Sequence, residues 1–356
     1  MAMRRSRTGL VSQAQSLSHD ALTGQQCQSR AMNLIVALVF GVAASAAAEG
    51  LSAGTPQASV MPGEGQDKQT AALVDMMHAV NAGEADRYAR LYAQDAVITI
   101  YGSGVLEGRG AIEKHEVDLL REFPGARLGF YDVWQKGSLA VVRYAVNGRT
   151  PGGESMGHEG LLFYRFRSSG LIEEEHRYLD SLTPMAQLGA LGPLPARPLP
   201  TLPSEMKTHV ARGSPDEDEN VALVRANLVA LESKDKTAFF SSLAEDAVLD
   251  EMIDPRPFIG KRNLNSWFER WTGAVPDARS EISTILGVGE FVLVETVVRG
   301  TLKGPLGPLS ASASAFAVHR AAIVEVKDGK ISRISIFMNL KELAQAVGQW
   351  PLVVGK

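Results

Sequence analysis

The stretch LYAQDAVITIYGSGVLEGRGAIEKHEVDLLREFPGAR, residues 91–127, recurs in altered form as SLAEDAVLDEMIDPRPFIGKRNLNSWFERWTGAVPDAR, residues 242–279. The offset between the two copies changes only at a few points, so the insertions fall in loops. An internal repeat of this length indicates that the chain contains two tandem copies of one domain. The aligned positions include Asp95 with Asp246, Gly108 with Gly260, Pro124 with Pro276 and Ile172 with Ile331.

Each copy begins with helical patterns and ends with long strands. A short second helix, a strand after the Asp-Ala-Val motif and a third helix follow the first helix, and three or four long strands close the copy. Helices followed by sequential strands predict an α+β domain with an antiparallel sheet wrapped over helices. Apolar residues at helical spacing mark the first helix of each copy: Leu73, Met76, Met77 and Val80, then Val221, Val224, Leu228 and Leu231.

Changes in composition predict the domain boundaries. The six prolines of residues 190–215 favour a semi-rigid spacer rather than a core element. The acidic run Asp216 to Glu219 then predicts a capped helix start, where the helix dipole favours negative charge. The predicted order is a targeting-like segment (1–48), a linker (49–67), a first domain (68–189), the proline-rich spacer (190–215) and a degenerate second domain (216–350).

The composition is that of an ordinary soluble globular protein. The chain has 356 residues, of which 45% are hydrophobic and 21% are charged. Its net charge is −4 and its pI is about 6.0, so no concentrated basic face for nucleic acid is expected.

Near the N-terminus lies the apolar segment LIVALVFGVAASAAA, residues 34–48. It is shorter than the roughly 20 residues of a membrane span and matches the apolar core of a secretory signal, with small residues for cleavage near Ala48. The n-region is either unusually long, or translation starts at Met32. We therefore predict a periplasmic or extracellular protein, with an uncleaved anchor as the alternative. The only cysteine, Cys27, precedes this segment, so the exported chain would form no disulfide.

The order helix, helix, Asp-Ala-Val, strand, glycine-flanked helix and sheet, ending in Gln187-Leu188-Gly189, resembles the SnoaL-like polyketide cyclases. These belong to the nuclear transport factor 2-like superfamily, which includes ketosteroid isomerase. The resemblance covers about residues 70–185 and 218–348. It implies two tandem cone-shaped domains, each a curved sheet around a pocket. It also implies pairing through the sheets, as an intramolecular pseudo-dimer or a homo-oligomer. This fold hosts enzymes and binding domains alike.

The strand LIEEEHRYLD carries the candidate site. Alternation places His176, Tyr178 and Asp180 on one face, and Glu175 and Arg177 on the other. The resemblance implies that the aspartate matching Asp180 points into the pocket and acts as acid or base. We therefore expect the His176 face to line the cavity and the Glu175 face to lie outside or at an interface.

The hairpin before this strand predicts its pairing. If Ser168 pairs with Leu171, Glu159 lies opposite Asp180, and two facing carboxylates repel unless one keeps its proton. A bulge would place His158 there instead. Either neighbour would make Asp180 a carboxyl that titrates near neutrality, as a general acid or base requires. The alternative is that both carboxylates lie at a solvated strand end.

The complete candidate set is divided by expected role. His158 is also consistent with a pocket rim, and His115, aligned with Trp267, with a core or interface position. No His-x-His or His-x₃-His spacing occurs, so neither a metal nor another cofactor is predicted. The candidate catalytic residues are Asp180, Glu159, His158 and His176, and the candidate substrate-binding residues are Tyr178, Tyr144 and Tyr164.

Two classes of function fit these residues. In the first, the first domain moves a proton at a carbon beside a carbonyl, as a cyclase or isomerase would, with Asp180 as the proton carrier. In the second, it binds a small ligand without turnover. The second copy has Asn339 in place of Asp180 and is expected to be a scaffold. The predicted partner is thus a small molecule, and no nucleic acid is expected.

Overall fold

The computed structural model describes residues 64–192 and 194–352, and its elements recur in the same order in both copies. The α+β class with two tandem domains is confirmed. The first copy contains α1 (Glu64–Ala82), α2 (Ala85–Arg90), β1 (Tyr92–Ile100), β2 (Gly104–Glu107), α3 (Arg109–Glu122), β3 (Arg127–Lys136), β4 (Leu139–Arg149), β5 (Ser155–Phe166), β6 (Ile172–Leu179) and α4 (Leu182–Gln187). After β7 (Lys207–Val210), the second copy contains α5 (Pro215–Ser233), α6 (Lys236–Ser241), β8 (Leu243–Glu251), β9 (Phe258–Ile259), α7 (Gly260–Ala274), β10 (Arg279–Val288), β11 (Phe291–Thr301), β12 (Ala315–Lys327), β13 (Lys330–Met338) and α8 (Leu340–Ala346).

Each copy forms one mixed sheet. The strand order is β2-β1-β6-β5-β4-β3-β7 in the first sheet and β10-β11-β12-β13-β8-β9 in the second. The last four long strands of each copy form the predicted antiparallel meander. The early strand, however, runs parallel to the last one, β1 beside β6 and β8 beside β13. It does so because the chain crosses over through a helix before the meander begins, and a parallel neighbour needs such a crossover.

The predicted pairing of Leu161 with Tyr178 in the last hairpin is confirmed, but the predicted turn pair of Ser168 with Leu171 is wrong. Leu161 pairs with Tyr178 and Gly160 with Leu179. At the turn, however, Arg167 rather than Ser168 pairs with Leu171, and a bulge between Arg165 and Phe166 then shifts the ladder by one residue into the expected register. Continuing this register sets Glu159 rather than His158 across from position 180.

The helices cover one face of each sheet, which we call the helix-side face. Leu73 and Met76 of α1 and Ile112 of α3 pack there against sheet residues of the first copy. Trp267 and Trp271 of α7 do so in the second copy. Fully burying side chains of this size contributes about 1.5–3 kcal/mol each. The predicted helical stripes are thus the faces that hold each domain together.

The helix start at the acidic run is also confirmed. Ser214 and Glu217 form a capping box at the first turn of α5. The Glu217 carboxylate in addition accepts hydrogen bonds from the backbone N–H groups of Gly213 at 2.8 Å and Gly289 at 2.8 Å. This side chain therefore satisfies free donors at the helix N-terminus and ties the helix to the β10–β11 turn.

The proline-rich segment is more than a spacer. Its strand β7 pairs in parallel with β3 at the edge of the first sheet, which corrects the expectation that it holds no core element. Asn147 donates a hydrogen bond to the carbonyl oxygen of Pro200 at 2.7 Å, and Arg197 donates one to that of Asp254 at 2.7 Å. The segment thus contacts both domains, through the carbonyl oxygen of Pro200 and the side chain of Arg197.

The sheet faces opposite the helices pack against each other. Trp134, Leu161 and Phe163 of the first domain lie in one apolar cluster with Leu293 and Phe337 of the second. This contact buries the central part of the outer face of each sheet. Polar contacts also connect the two domains beside this cluster. Tyr178 Oη donates a hydrogen bond to Glu295 at 2.9 Å, His176 Nδ1 lies 2.8 Å from Glu295, and Asn339 donates to Ser181 Oγ at 2.8 Å.

Among the described residues, no helix is long and apolar enough to cross a membrane. The predicted signal segment 34–48, with Met32 and Ala48, lies outside the described residues.

We expect His176→Gln to destabilise the protein near neutral pH by about 1–3 kcal/mol, because it removes a charged hydrogen-bonding group between domains. Burial by itself lowers the pKa of His176, but hydrogen bonds to Glu174 and Glu295 raise it from 6.5 to about 10. This stabilisation is therefore complete below about pH 6.5 and is lost as the pH rises through about 10. Urea unfolding at neutral and strongly alkaline pH measures it. An equal loss at both pH values, or an equal loss in the exposed control His78→Gln, would contradict the assignment.

Candidate active site

Both faces of β6 carry charged side chains, and the structure decides which face is enclosed. Glu175 and Arg177 point to the helix side and line a cavity. His176 and Tyr178 point to the second domain and contact Glu295. The expected alternation is present, but the expectation that the His176 face lines the cavity is wrong. Both faces are polar, so periodicity alone carries no information on which one the helices cover.

The cavity lies between the first sheet and helices α1, α2 and α3 and has a volume of about 190 Å³. Most of its wall is apolar, including Met76, Leu119, Phe123 and Leu162. An apolar cavity of roughly 150 Å³ accepts benzene, so this one has room for a substituted ring. Apolar walls with few polar groups are typical of small-molecule sites.

A chain of hydrogen bonds forms the polar end of this cavity. Glu175 is 1% exposed and accepts from Arg177 Nε at 2.5 Å and from Tyr92 Oη. Tyr92 and Tyr88 share a hydrogen bond of 2.8 Å, and Arg177 Nη2 donates to Tyr88 Oη at 2.6 Å. Since Tyr92 gives its only proton to Glu175, Tyr88 must donate to Tyr92. The chain therefore runs in one direction, from Arg177 through both phenols to Glu175.

The groups of this hydrogen-bond chain shift one another's pKa values, and burial adds to the effect. Burial by itself would lower the pKa of Arg177, but the neighbouring Glu175 carboxylate raises it well above its ordinary value. Burial raises the pKa of Tyr88 and of Tyr92 well above the ordinary phenol value, so both stay protonated. Removing either member of the ion pair would leave its partner as a buried charge without a counter-charge, which is strongly unfavourable.

A second carboxyl, Glu116 on α3, lines the same cavity and is 5% exposed. Burial raises its pKa from 4.5 to about 7, with Arg177 opposing the rise and Glu175 adding to it. None of the described residues donates a hydrogen bond to this carboxyl. Its neighbour His115 also lines the cavity, and burial, together with Arg177, lowers the pKa of that imidazole to about 4. At neutral pH, Glu116 is thus the group that can exchange a proton with a bound molecule.

A tyrosine–histidine pair lies elsewhere on the wall. Tyr144 and His158 both line the cavity, with Tyr144 Oη 3.2 Å from His158 Nε2. Burial lowers the pKa of His158 to about 4, so the ring is neutral, and its buried Nδ1 has no partner among the described residues. Tyr164 lines the cavity as well and donates to the Met76 sulfur at 3.3 Å. Three of the predicted residues therefore meet at this cavity.

The other four predicted residues lie away from it. His176 and Tyr178 face the second domain, as described above. Asp180 accepts hydrogen bonds from Thr183 Oγ1 at 2.8 Å and Thr183 N at 3.0 Å, which stabilises the first turn of α4, and burial raises its pKa. Glu159 pairs with Arg143 at 2.7 Å. Asp180 and Glu159 do meet, with His158, around a separate void of only about 20 Å³ beneath the proline-rich segment.

The corresponding region of the second copy has lost this chemistry. The matching ladder positions place Ile334 and Ile336 where the first copy has Glu175 and Arg177. Its cavity is about 40 Å³. In the described parts of the chain, no group of three His, Cys, Asp or Glu side chains could hold a metal ion. The repeat alignment shows that the second copy also replaces the other polar residues of the first cavity: Tyr88 by Phe239, Tyr92 by Leu243 and Glu116 by Phe268.

The repeat contained a signal for the residues that sequence reasoning missed. Glu116 lies four residues after Ile112, within the apolar stripe of α3, and aligns with the buried Phe268. A carboxylate in a position that the other copy fills with phenylalanine indicates a group kept for a reason other than packing. The same alignment sets Glu175 and Arg177 against Ile334 and Ile336, so the repeat also held a signal for these two residues.

The family model for the SnoaL-like domain matches residues 73–175 and 224–334, together more than half of the chain. Both copies are covered, and the protein belongs to the SnoaL-like family. The resemblance inferred from the sequence is thereby confirmed. No functionally curated protein matches the chain.

Similar solved structures each align with part of this chain. A protein assigned as a SnoaL-like polyketide cyclase from Jannaschia sp. CCS1 is 16% identical, covers 39% of this chain and 97% of its own, with a TM-score of 0.36. AclR from Streptomyces galilaeus, assigned as a hydroxylase, is 18% identical and covers 38% and 99%, with a TM-score of 0.34. A protein with a ketosteroid isomerase-like fold from Catenulispora acidiphila, solved with trimethylamine, is 19% identical and covers 35% and 92%, with a TM-score of 0.32.

The raised pKa of Glu116 predicts a specific pH dependence of stability. The folded protein holds this proton more tightly than the unfolded chain, so the resulting stabilisation is complete below about pH 4.5 and is lost as the pH rises through about 7. We expect Glu116→Gln to exceed the wild type in unfolding free energy by roughly 3 kcal/mol near pH 8, and the difference to disappear near pH 4.5. Denaturant unfolding across this range measures it. The exposed neighbour Glu113→Gln is the control, and a Glu116→Gln advantage that is independent of pH would contradict the assignment.

Proposed function

We propose that the first domain catalyses cofactor-independent proton transfer on a small, largely apolar carbonyl compound, as in a cyclase or isomerase. The observation that carries this proposal is Glu116, a buried carboxyl that lines an apolar cavity without a hydrogen-bonding partner among the described residues. Its pKa of about 7 leaves both protonation states populated at neutral pH. A general acid or base works best when its pKa lies near the operating pH.

In the proposed reaction, the Glu116 carboxylate removes a proton from the carbon beside the substrate carbonyl. The C–H bond breaks, a carboxyl O–H bond forms, and the electron pair moves onto the carbonyl oxygen as an enolate. Glu116 then returns the proton to the same or a conjugated carbon. Alternatively, the enolate carbon attacks a second carbonyl of the same molecule, and the oxygen of that carbonyl takes the proton from Glu116. The apolar wall keeps bulk water away from the enolate.

Arg177 is the candidate for holding the enolate oxygen. Its Nε and Nη2 donate to Glu175 and Tyr88, while Nη1 donates to none of the described residues. The bonds on one edge fix the guanidinium plane, so the free edge is preorganised before substrate arrives. Donors fixed in advance toward a developing negative charge supply the largest share of many enzymatic rate enhancements.

Ligand binding without turnover is the second candidate. The observation in its favour is the Tyr144–His158 pair, which places hydrogen-bonding groups on the wall of the same cavity. Such a pocket would depend on its wall residues more than on Glu116. In this function, protonated Glu116 would donate a hydrogen bond to the ligand and would transfer no proton.

Solvent exchange tests the catalytic proposal without knowledge of the natural substrate. We expect the wild type to accelerate deuterium incorporation beside the carbonyl of 2-tetralone in D₂O, with a rate that rises with pH and levels off above about 7 as Glu116 loses its proton. Proton NMR measures the exchange. Glu116→Gln should reduce the enzymatic rate by about 100-fold or more.

Two matched variants separate this site from its neighbours. Glu113→Gln removes a carboxylate from the exposed side of the same helix, and Asp180→Asn removes the carboxylate first suggested by the family resemblance. Both should keep the exchange rate. Loss of exchange in Asp180→Asn but not in Glu116→Gln would move the proton carrier to Asp180. Binding of 2-tetralone without any exchange would favour the second candidate.

We also propose that the protein is exported. The support is the apolar segment 34–48 with small residues at its end. We expect the chain expressed in a Gram-negative bacterium to yield a periplasmic form that begins near Glu49. N-terminal peptide mapping by mass spectrometry checks this. A cytoplasmic chain that retains residues 34–48 would contradict cleavage and export together.

A further inference from the structure

The cavity of the second domain contains a buried arginine that its surroundings do not neutralise. Arg320 on β12 is 7% exposed and lines this cavity of about 40 Å³. Among the described residues, no carboxylate forms an ion pair with its guanidinium, and no acceptor forms a hydrogen bond with it. The guanidinium lies over the Trp271 ring, with Cζ 5.4 Å from the ring centroid.

The same position in the first copy is built differently. Arg320 pairs with Thr296 in the second sheet, at the ladder position where Gly160 pairs with Tyr144 in the first. A Cβ at Gly160 would lie 2.4 Å from the Tyr144 ring, so the ring fills that space. In the second copy the larger residue of the pair, Arg320, stands at the glycine position and the smaller one, Thr296, at the tyrosine position. A cation therefore reaches this cavity in place of a phenol.

One carboxylate, Glu251, acts electrostatically on Arg320 without forming an ion pair with it, and its Oε1 is buried without a hydrogen-bonding partner among the described residues. Its Oε2 accepts from Trp267 Nε1 at 2.9 Å and lies 3.4 Å from Arg270 Nη2. Burial lowers the pKa of Arg320, and the charge of Glu251 opposes this only in part. An arginine whose guanidinium forms no ion pair or hydrogen bond is costly in an apolar site unless another group pairs with it.

We propose that the second domain binds a small monocarboxylate, such as acetate or formate, with its carboxylate on the Arg320 guanidinium. A planar guanidinium offers two parallel N–H donors, which match the two oxygens of a carboxylate. The volume sets the size, because one water needs about 10–15 Å³ of such space and the cavity therefore holds about three or four heavy atoms. Val294, Val324 and Ile336 supply an apolar wall for a short alkyl tail.

Thermal unfolding in sodium acetate tests this site. We expect Tm of the full chain to rise with acetate and to level off at saturation, because a ligand that binds only the folded state stabilises it. Sodium gluconate at equal ionic strength is the size control, since gluconate is too large for this cavity. Equal shifts in the two salts would overturn the proposal and leave an ordered water as the partner of Arg320.

Two variants assign the effect to the second domain. Arg320→Met removes the charge and should abolish the difference between acetate and gluconate. Ala322→Leu keeps Arg320 but fills the cavity from the next helix-side position on β12, and should abolish it as well. Both leave Arg177 of the first domain intact, so an acetate effect that persists in either one would place the anion elsewhere. If Arg320→Met does not fold, the NMR line width of ¹³C-acetate tests the site instead. The wild type should broaden the line and Ala322→Leu should not, and equal broadening by both would contradict the proposal.

Discussion

The buried ion pair between Arg177 and Glu175 constrains the rest of the first domain. Two opposite charges in an apolar cavity are stable only when the geometry is good and the remaining donors and acceptors are satisfied. Tyr88 and Tyr92 meet this requirement by extending the pair into a directional chain of hydrogen bonds. The chain uses one edge of the guanidinium and leaves the other without a protein acceptor among the described residues. The constraint that stabilises the pair thus also prepares a group for a ligand.

The same strand serves the cavity and the domain interface. Because side chains alternate along β6, every second residue faces the helices and the others face the second domain. His176 and Tyr178 converge there on Glu295, so a buried carboxylate on one domain is matched by two donors on the other. The equivalent strand β13 carries isoleucine on its helix side and a serine and a phenylalanine on its outer side. The repeat therefore keeps the architecture while only one copy keeps the polar cavity.

Sequence reasoning was correct wherever a short-range pattern decided the outcome. The helical stripes, the capped start of α5 and the alternation along β6 all depend on local spacing. It failed for the site because Glu175 and His176 are equally polar neighbours on one strand. The repeat alignment held the signal, since it sets Glu116 against Phe268 and Glu175 against Ile334, and a carboxylate at an apolar position contradicts the pattern that otherwise predicts the core. The strand β7 was missed because prolines around it indicated a spacer.

The sequence by itself determined the two tandem α+β domains through the internal repeat, the family through the resemblance of its motif order, and the alternation of each strand through a two-residue period. Only the tertiary structure decided which face of β6 is enclosed, which carboxyl is desolvated and which histidine is paired. Those properties depend on what the helices and the second domain bring from more than 50 residues away, as Tyr92 does for Glu175 and Glu295 does for His176. The pKa of a carboxyl depends on burial and neighbouring charges, and neither is a property of its own segment.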